Sequence, residues 1–287
     1  MLKGVIAAFV LLLLLLGAAG CRPARPPDPE TLRFSAIPDQ PADQVLRQHK
    51  ALVDRLCTAI RRPCRWVPAE SYEALVDRLG RGEVDVAYLG AVTFAQAWSR
   101  HHAVPLAMRY IDFRFTSVIV VPRDSKVHHL DDLKGARFSF GNQESTSGHF
   151  MLRQRLLDQG IVAERYFSAV SYATEHDATL RAVAGGAADA GGVNASVFYK
   201  RLAAGDAAAS ALRVIWQTPP FVDYVWAGRA QLSPALRQAM VDAFLDLDLD
   251  AEADRPALQA EGAAGFVPAF DADFDEVRAV LHSQGRL

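Results

Sequence analysis

The chain has 287 residues, 51% of them hydrophobic and 22% charged, which is too long for one ordinary core and too apolar for disorder over most of its length. Its 31 Lys and Arg against 33 Asp and Glu leave a net charge of −2, without the basic excess of a sequence-independent nucleic-acid grip. Three cysteines exclude a disulfide-stapled miniprotein, and their spacing lacks the paired CxxC of a zinc ribbon.

In chain order, Lys3 and the apolar run Val5 to Leu16 read as the n- and h-regions of a secretory signal. A dozen apolar residues are short of the ~20 that span a bilayer. The run ends in Ala18-Ala19-Gly20-Cys21, which resembles a bacterial lipobox; the usual Leu three residues before the Cys is Ala18 here. This gives a lipoprotein signal over residues 1–20, lipidation of Cys21, and a Pro- and Arg-rich tether over 21–30. The alternative is a plain signal peptide with an incidental cysteine.

Leu32 to Ile37 alternates as a strand and stops at Pro38. A helix follows from Val45 to Ile60, then a strand at Arg65 to Val67. Cys57, late in that helix, and Cys64, at the start of that strand, form a disulfide or remain two buried thiols; the sequence does not give their separation. Tyr72, Leu75, Val76 and Leu79 share one helix face, closed by Gly80 and Gly82. Val84 to Leu89 and Val118 to Val121 read as strands, Leu130 to Gly135 as a short helical turn, and Arg137 to Phe140 as a strand. Helices are expected at Met151 to Asp158, His176 to Ala184 and Ser196 to Ala203, and strands at Val193 and at Leu212 to Trp216. Ser233-Pro234 caps and opens another helix, and Asp271 to Leu281 is the last. Strands alternating with helices predict an α/β protein whose sheets are mixed and mostly parallel. Extended crossings near Thr116 to Val121 and Trp216 to Trp226 divide it into lobe 1, residues 31–117 plus 224–287, and lobe 2, residues 118–223.

The sharpest chemical signal is Phe140-Gly141-Asn142-Gln143-Glu144-Ser145-Thr146-Ser147-Gly148, in which a strand ends, a polar loop follows and a helix begins. One hydroxyl is enough for a cap; three beside free N–H groups and a positive helix end also make an anion cradle. The loop lacks the Lys of a P-loop, and no GxSxG, HExxH or paired CxxC occurs, so an enzyme of α/β class has no nucleophile and base to name. His176-Asp177 opens a helix, where a histidine is either structural or a donor to an anion. Asp223, between Pro220 and Trp226, reads as a turn residue, and Tyr72 as a core aromatic. In His101-His102 and His128-His129 adjacent side chains point apart and no cluster of carboxylates or thiols surrounds them, so they suit a solvated surface better than a metal.

Taken together, Ser35-Ala36-Ile37-Pro38-Asp39-Gln40, Gly82 to Gly90, Asp132-Leu133-Lys134-Gly135, the Ser145-Thr146-Ser147-Gly148 helix start, His176-Asp177-Ala178-Thr179, Ala188-Asp189-Ala190-Gly191 and Thr218-Pro219-Pro220 resemble the periplasmic phosphate/phosphite/phosphonate-binding proteins of ABC importers. The Ile-Pro-Asp-Gln opening and the Pro-Pro-Phe-Val-Asp-Tyr segment look similar to a branch labelled as selenate-transporter binding proteins. The resemblance implies the two-lobed type 2 binding-protein fold, closing like a hinge on its ligand. It implies that Ser145, Thr146 and Ser147 hold an oxyanion, that Tyr72 and His176 donate to it from opposite lobes, and that Asp223 lies beside it at the crossing. It also implies a monomer, anchored by lipid and located in the periplasm, that serves an ABC permease without cofactor or catalysis; a sensory module that presents the ligand to a receptor is the alternative. Two positions depart from the phosphonate pattern. Phe115 replaces an aromatic hydroxyl, and Ser196 replaces a carboxylate that would meet a ligand amine, which counts against aminoalkylphosphonates.

Overall fold

A computed structural model describes residues 28–287; the proposed leader, Cys21 and most of the tether lie outside the described residues. The first lobe opens with β1 (Leu32–Ala36), α1 (Ala42–Ala59), β2 (Cys64–Trp66), α2 (Tyr72–Gly80), β3 (Val86–Leu89), α3 (Ala91–His101) and β4 (Val104–Arg109). The second holds β5 (Ser117–Pro122), β6 (Arg137–Phe140), α4 (Met151–Asp158), β7 (Ala169–Tyr172), α5 (His176–Ala184), β8 (Ala190–Asn194), α6 (Ala195–Ala203) and β9 (Leu212–Gln217). The chain then returns through β10 (Val225–Gly228), α7 (Pro234–Leu245), α8 (Arg255–Glu261), β11 (Phe266–Pro268) and α9 (Asp275–Ser283). Two sheets result, one of six strands in the order β11-β4-β10-β3-β1-β2 and one of five in the order β7-β6-β8-β5-β9.

Each sheet is covered on both faces, which is why its central strands read as continuous apolar runs. Alternation along β5 shows this directly: Ile119 and Val121 pack with Phe138, Phe140 and Leu152, whereas Val118 and Val120 face Leu180, Val193 and Phe198 on the other side. In the first sheet a buried carboxylate ties three segments together. Asp85 accepts from Arg33 Nε at 2.8 Å and from Arg229 Nε at 2.7 Å, joining β1, the start of β3 and the end of β10. Loss of either arginine would leave part of a fully buried charge uncompensated.

The sheets are mixed, but four of the nine strand pairings are parallel and five antiparallel, so parallel pairs do not predominate as expected from the β-α-β order. Four of the antiparallel pairs come from the crossings, since β5 runs antiparallel to β8 and β9 and β10 to β3 and β4; the fifth is β11 on β4. Between the sheets the two connections run side by side, with Phe115 N donating to Phe221 O at 2.8 Å and Phe221 N to Phe115 O at 2.9 Å. Asp223 N donates to Asp112 O at 3.0 Å in the same ribbon. Cys57 and Cys64 are joined by a disulfide, with 6.1 Å between their Cα atoms, stapling the end of α1 to the edge strand β2.

Candidate functional site

The hydroxyl run sits where the second sheet delivers it. After β6, Ser145 takes extended backbone angles and its Oγ accepts the Gly148 N–H at 3.0 Å, capping a π-helical turn over Thr146–Phe150 that continues into α4. Single π turns recur at functional sites. The loop is pinned by Gly141 N donating to Gly148 O at 2.8 Å. A Cβ on Gly148 would lie 3.0 Å from Gly141 Cα and from Ser145 Oγ and 3.1 Å from His176 Cε1. Glycine is therefore what lets the loop close on the first residue of α5.

The first lobe brings a second helix start to the same place. Val92 N, in the first turn of α3, donates to Thr146 Oγ1 at 3.0 Å, and Ala91 N donates to Asp223 Oδ1 at 3.4 Å. A Cβ on Gly90 would lie 3.0 Å from Thr146 Oγ1 and 3.4 Å from Asp223 Oδ1, so the backbone approach again needs glycine. Tyr72 stands at the start of α2, buried and close to the Ser145 hydroxyl. Burial pushes its hydroxyl pKa well above the ordinary value, and the carboxylates of Asp39, Asp223 and Glu175 add to this while Ser145 opposes it. The lobes meet around this point: His176 N donates to Asp39 O at 3.2 Å, and Gln96 Nε2 to Glu144 Oε2 at 2.7 Å. The structure is thus a closed one.

Four helix starts, those of α2, α3, the π turn and α5, come together where the lobes meet, each with N–H groups and a positive dipole end. Asp223 sets a carboxyl group against the hydroxyl run, with Asp39 and Glu175 acting on Tyr72 and His176. Asp223 is 1% exposed, and burial followed by the charge of Asp112 raises its pKa to about 7, against smaller opposing effects of the Ser147, Ala91 and Thr146 donors. Ser147 Oγ lies near this carboxyl but outside hydrogen-bond geometry, and both Ser147 Oγ and Asp223 Oδ2 are buried without a partner. Arg109 does not neutralise Asp223; it forks onto Asp112 at 2.7 and 2.9 Å. His176 is also fully buried, with neither ring nitrogen bonded. Burial lowers its pKa despite Asp39, Asp177 and Glu175 nearby, so its ring is neutral here. Unbonded buried hydroxyl, imidazole and carboxyl groups are costly in isolation, and their gathering in one place is the mark of a site built for something else to complete.

All six residues singled out from the sequence, Tyr72, Ser145, Thr146, Ser147, His176 and Asp223, are buried and brought together. The sequence reading missed the contribution of α3, whose Ala91 and Val92 amides complete the surround. It also missed an adjoining cavity of about 40 Å³, lined among others by Asp39, Tyr88, Arg109, Ser196, Lys200 and Glu261. Ser196, the position that departs from the phosphonate pattern, lines this cavity, but Asp39 and Glu261 bring carboxylates to it as well, so its polarity does not hang on residue 196 alone. Phe115 is buried against Phe221 and Tyr224 in the crossing. Among the described residues no group of three His, Cys, Asp or Glu side chains is placed to hold a metal, and no helix is long and apolar enough to cross a membrane.

Comparison with known proteins follows the same lines. A family model described as ABC transporter, phosphonate, periplasmic substrate-binding protein matches residues 34–274. The chain is 27% identical over 266 residues to a probable ABC transporter phosphite binding protein of Prochlorococcus marinus, covering 88% of this chain and 89% of that one. It is 25% identical over 279 residues to a phosphate-import protein of Mycolicibacterium smegmatis, covering 90% of this chain and 87% of that one. Among solved structures, a Prochlorococcus marinus protein in complex with methylphosphonate superposes with a TM-score of 0.85 at 25% identity, covering 91% of this chain and all of that one.

Proposed function

The chain belongs to the phosphonate family of periplasmic substrate-binding proteins of ABC transporters, and from that premise we propose that it captures a small tetrahedral oxyanion of the phosphite, phosphonate or phosphate type between its lobes and delivers it to an inner-membrane permease. The two-lobed fold and the family place it in the periplasm, in a class that binds and releases without covalent chemistry. The site residues take these roles in the proposal. Ser145, Thr146 and Ser147 and the amides of their turn surround the anion from lobe 2. Tyr72 donates from lobe 1, and His176 supplies a ring N–H. Charge-assisted bonds of this kind are each stronger than neutral ones, and closure dries the volume in which they act.

The observation that carries the choice of anion is Asp223. A buried carboxyl with a pKa of about 7 and one free oxygen, set beside the hydroxyl run, suits a ligand that still carries a proton. Above that pKa Asp223 is ionised, and a carboxylate and a fully ionised dianion both only accept, so they repel; a protonated oxyanion donates its O–H to the ionised Asp223. Phosphite and simple phosphonates hold such a proton near neutral pH, whereas selenate and sulfate do not. The relatives named phosphite binding protein and phosphate-import protein, and the relative structure bound to methylphosphonate, support the same reading. A calorimetric screen of the purified protein against phosphite, methylphosphonate, phosphate, selenite, selenate and sulfate tests it. Phosphite or methylphosphonate should bind tighter than sulfate and selenate. Tightest binding of selenate, or no binding of any of the six, would overturn it.

We further propose that Cys21 is lipidated and tethers a monomeric protein to the membrane, on the strength of the short apolar run ending in Gly20-Cys21. A Cys21→Ser variant should then leave the membrane fraction for the soluble periplasm; unchanged partitioning refutes the anchor.

A further inference from the structure

Asp39, Tyr224 and Asn194 form a hydrogen-bonded chain that crosses from one lobe to the other without using any of the six residues assigned to the anion. Asn194, at the end of β8, caps α6: its Oδ1 accepts the Val197 N–H at 3.0 Å. That bond settles the orientation of the amide, whose Nδ2 then donates to Tyr224 Oη at 2.9 Å. With that lone pair engaged, the single hydroxyl proton of Tyr224 goes to Asp39 Oδ2 at 2.7 Å. Asp39 follows β1 in lobe 1, and its carbonyl oxygen also receives the His176 N–H from lobe 2. The chain runs in one direction, from the start of α6 to a carboxylate, an arrangement in which successive bonds polarise one another.

Tyr224 is held in place to serve this. Its ring is buried, stacked on Tyr88 with centroids 5.0 Å apart and an interplanar angle of 5°, and set edge-on to Phe115 at 5.5 Å. The Arg109 guanidinium lies 5.6 Å from the centroids of both tyrosine rings. Both hydroxyl functions are spent on protein groups. Within this chain the bond from Asn194 Nδ2 to Tyr224 Oη is the one that joins lobe 2 to lobe 1, while Asp39 orients the tyrosine hydroxyl from within lobe 1, so a movement that parts the lobes at this point breaks the chain.

We propose that Asp39, Tyr224 and Asn194 act as a closure latch: positioning residues that stabilise the closed state by the same amount whichever anion is bound. The proposal rests on the reading that the protein captures its ligand by closing. A contact that favours closure without touching ligand lowers the conformational penalty on every ligand equally, and its loss shows in the dissociation rate.

Tyr224→Phe removes one oxygen and keeps the stack. It should raise Kd for phosphite and for methylphosphonate by a common factor of about 10–100, through faster dissociation, and leave their ratio unchanged. Asp39→Asn, which keeps an acceptor but loses its charge, should fall between wild type and Tyr224→Phe. Asp39→Ala combined with Tyr224→Phe should cost no more than the larger single change, because the two share one interaction. An altered phosphite-to-methylphosphonate ratio would make Tyr224 a ligand contact and overturn the latch, as would additive losses or unchanged affinity. Small-angle scattering on ligand-free protein gives a readout that needs no ligand: the Tyr224→Phe protein should be the more expanded. If wild type binds neither anion, the functional reading falls, and equal ligand-free radii of gyration would then dispose of the latch separately.

Discussion

Thr146 Oγ1 accepts the Val92 N–H at 3.0 Å, joining the first turns of two helices that belong to different lobes. The bond fixes what the threonine can offer. Its acceptor side faces α3, so its own proton is directed elsewhere, toward Asp223 or toward an anion held between the two helix starts. In the proposed site one hydroxyl would thereby both join the lobes and donate to the anion.

Replacing Thr146 by Val keeps the shape but removes both functions. It leaves the Val92 N–H without its acceptor and the anion without a donor, a loss of ~1.5–3 kcal/mol for a charge-assisted bond, or roughly 10–150-fold in Kd. Ser196→Ala, at the wall of the neighbouring cavity, should change affinity by less than about 0.5 kcal/mol, as surface-type substitutions do. Calorimetry with phosphite on both variants checks this. Equal losses would mean that the anion sits in the cavity and not in the hydroxyl cradle.

The neutral state of His176 predicts proton uptake on binding. Its pKa is lowered by burial between the lobes, and an anion beside the ring would favour the imidazolium and raise that pKa. Between the two values, complex formation draws a proton from the buffer. Titrations at pH 6 in two buffers of different ionisation enthalpy should give different apparent heats, and His176→Gln should shrink that difference by its own share. Identical uptake in the variant would show that His176 stays neutral in the complex.

How far the sequence spoke depended on whether a signal was local. Ser145-Thr146-Ser147-Gly148 announced itself because three hydroxyls at a helix start exceed what a cap needs, and the structure places them at such a start. The outer helices α1 and α2 were visible as apolar stripes on a polar background. Helix α3 was not read, because Ala91 through Ala97 are all buried and a helix buried all round carries no periodic contrast. Its start supplies two amides to the site, so that omission hid half of the lobe 1 contribution. Asp39, Asn194 and Tyr224 are unremarkable one at a time, a loop carboxylate, a cap and a core aromatic. They become a unit only in the folded chain, where Asp39 meets residues 155 and 185 positions further along, which no local pattern encodes.

The Cys57–Cys64 bridge should matter for stability and not for binding. Its short loop, with the cysteines 7 positions apart, gives a chain-entropy contribution of about 2–3 kcal/mol. It lies at the edge strand of the first sheet, whereas the hydroxyl cradle is built on the loop after β6. The Cys57→Ala/Cys64→Ala variant should lose about that much in urea unfolding while its phosphite affinity stays within about twofold of wild type. A large drop in affinity without loss of stability would show that α1 and the site are coupled.

Asp223 makes the stability of the ligand-free protein depend on pH in an uncommon direction. Its folded pKa of about 7 lies above the ordinary aspartate value of 3.8, so between those limits the folded state keeps a proton that the unfolded state has lost. Folding stability therefore falls as pH rises through that window, by on the order of 4 kcal/mol once both states are ionised. An Asn at this position has no charge to bury. Asp223→Asn should thus match wild type near pH 4 and exceed it in urea midpoint near pH 8, with the gap opening progressively in between. The same variant should bind phosphite more weakly, because the charged acceptor for the ligand O–H is replaced by a neutral amide oxygen, and sulfate more tightly, because a repelling carboxylate is gone. Parallel stability curves would place the carboxyl next to a compensating cation after all. Stability curves that diverge as described, with the two anions unaffected, would leave Asp223 buried but remote from the ligand, and the case for a protonated oxyanion would fail with it.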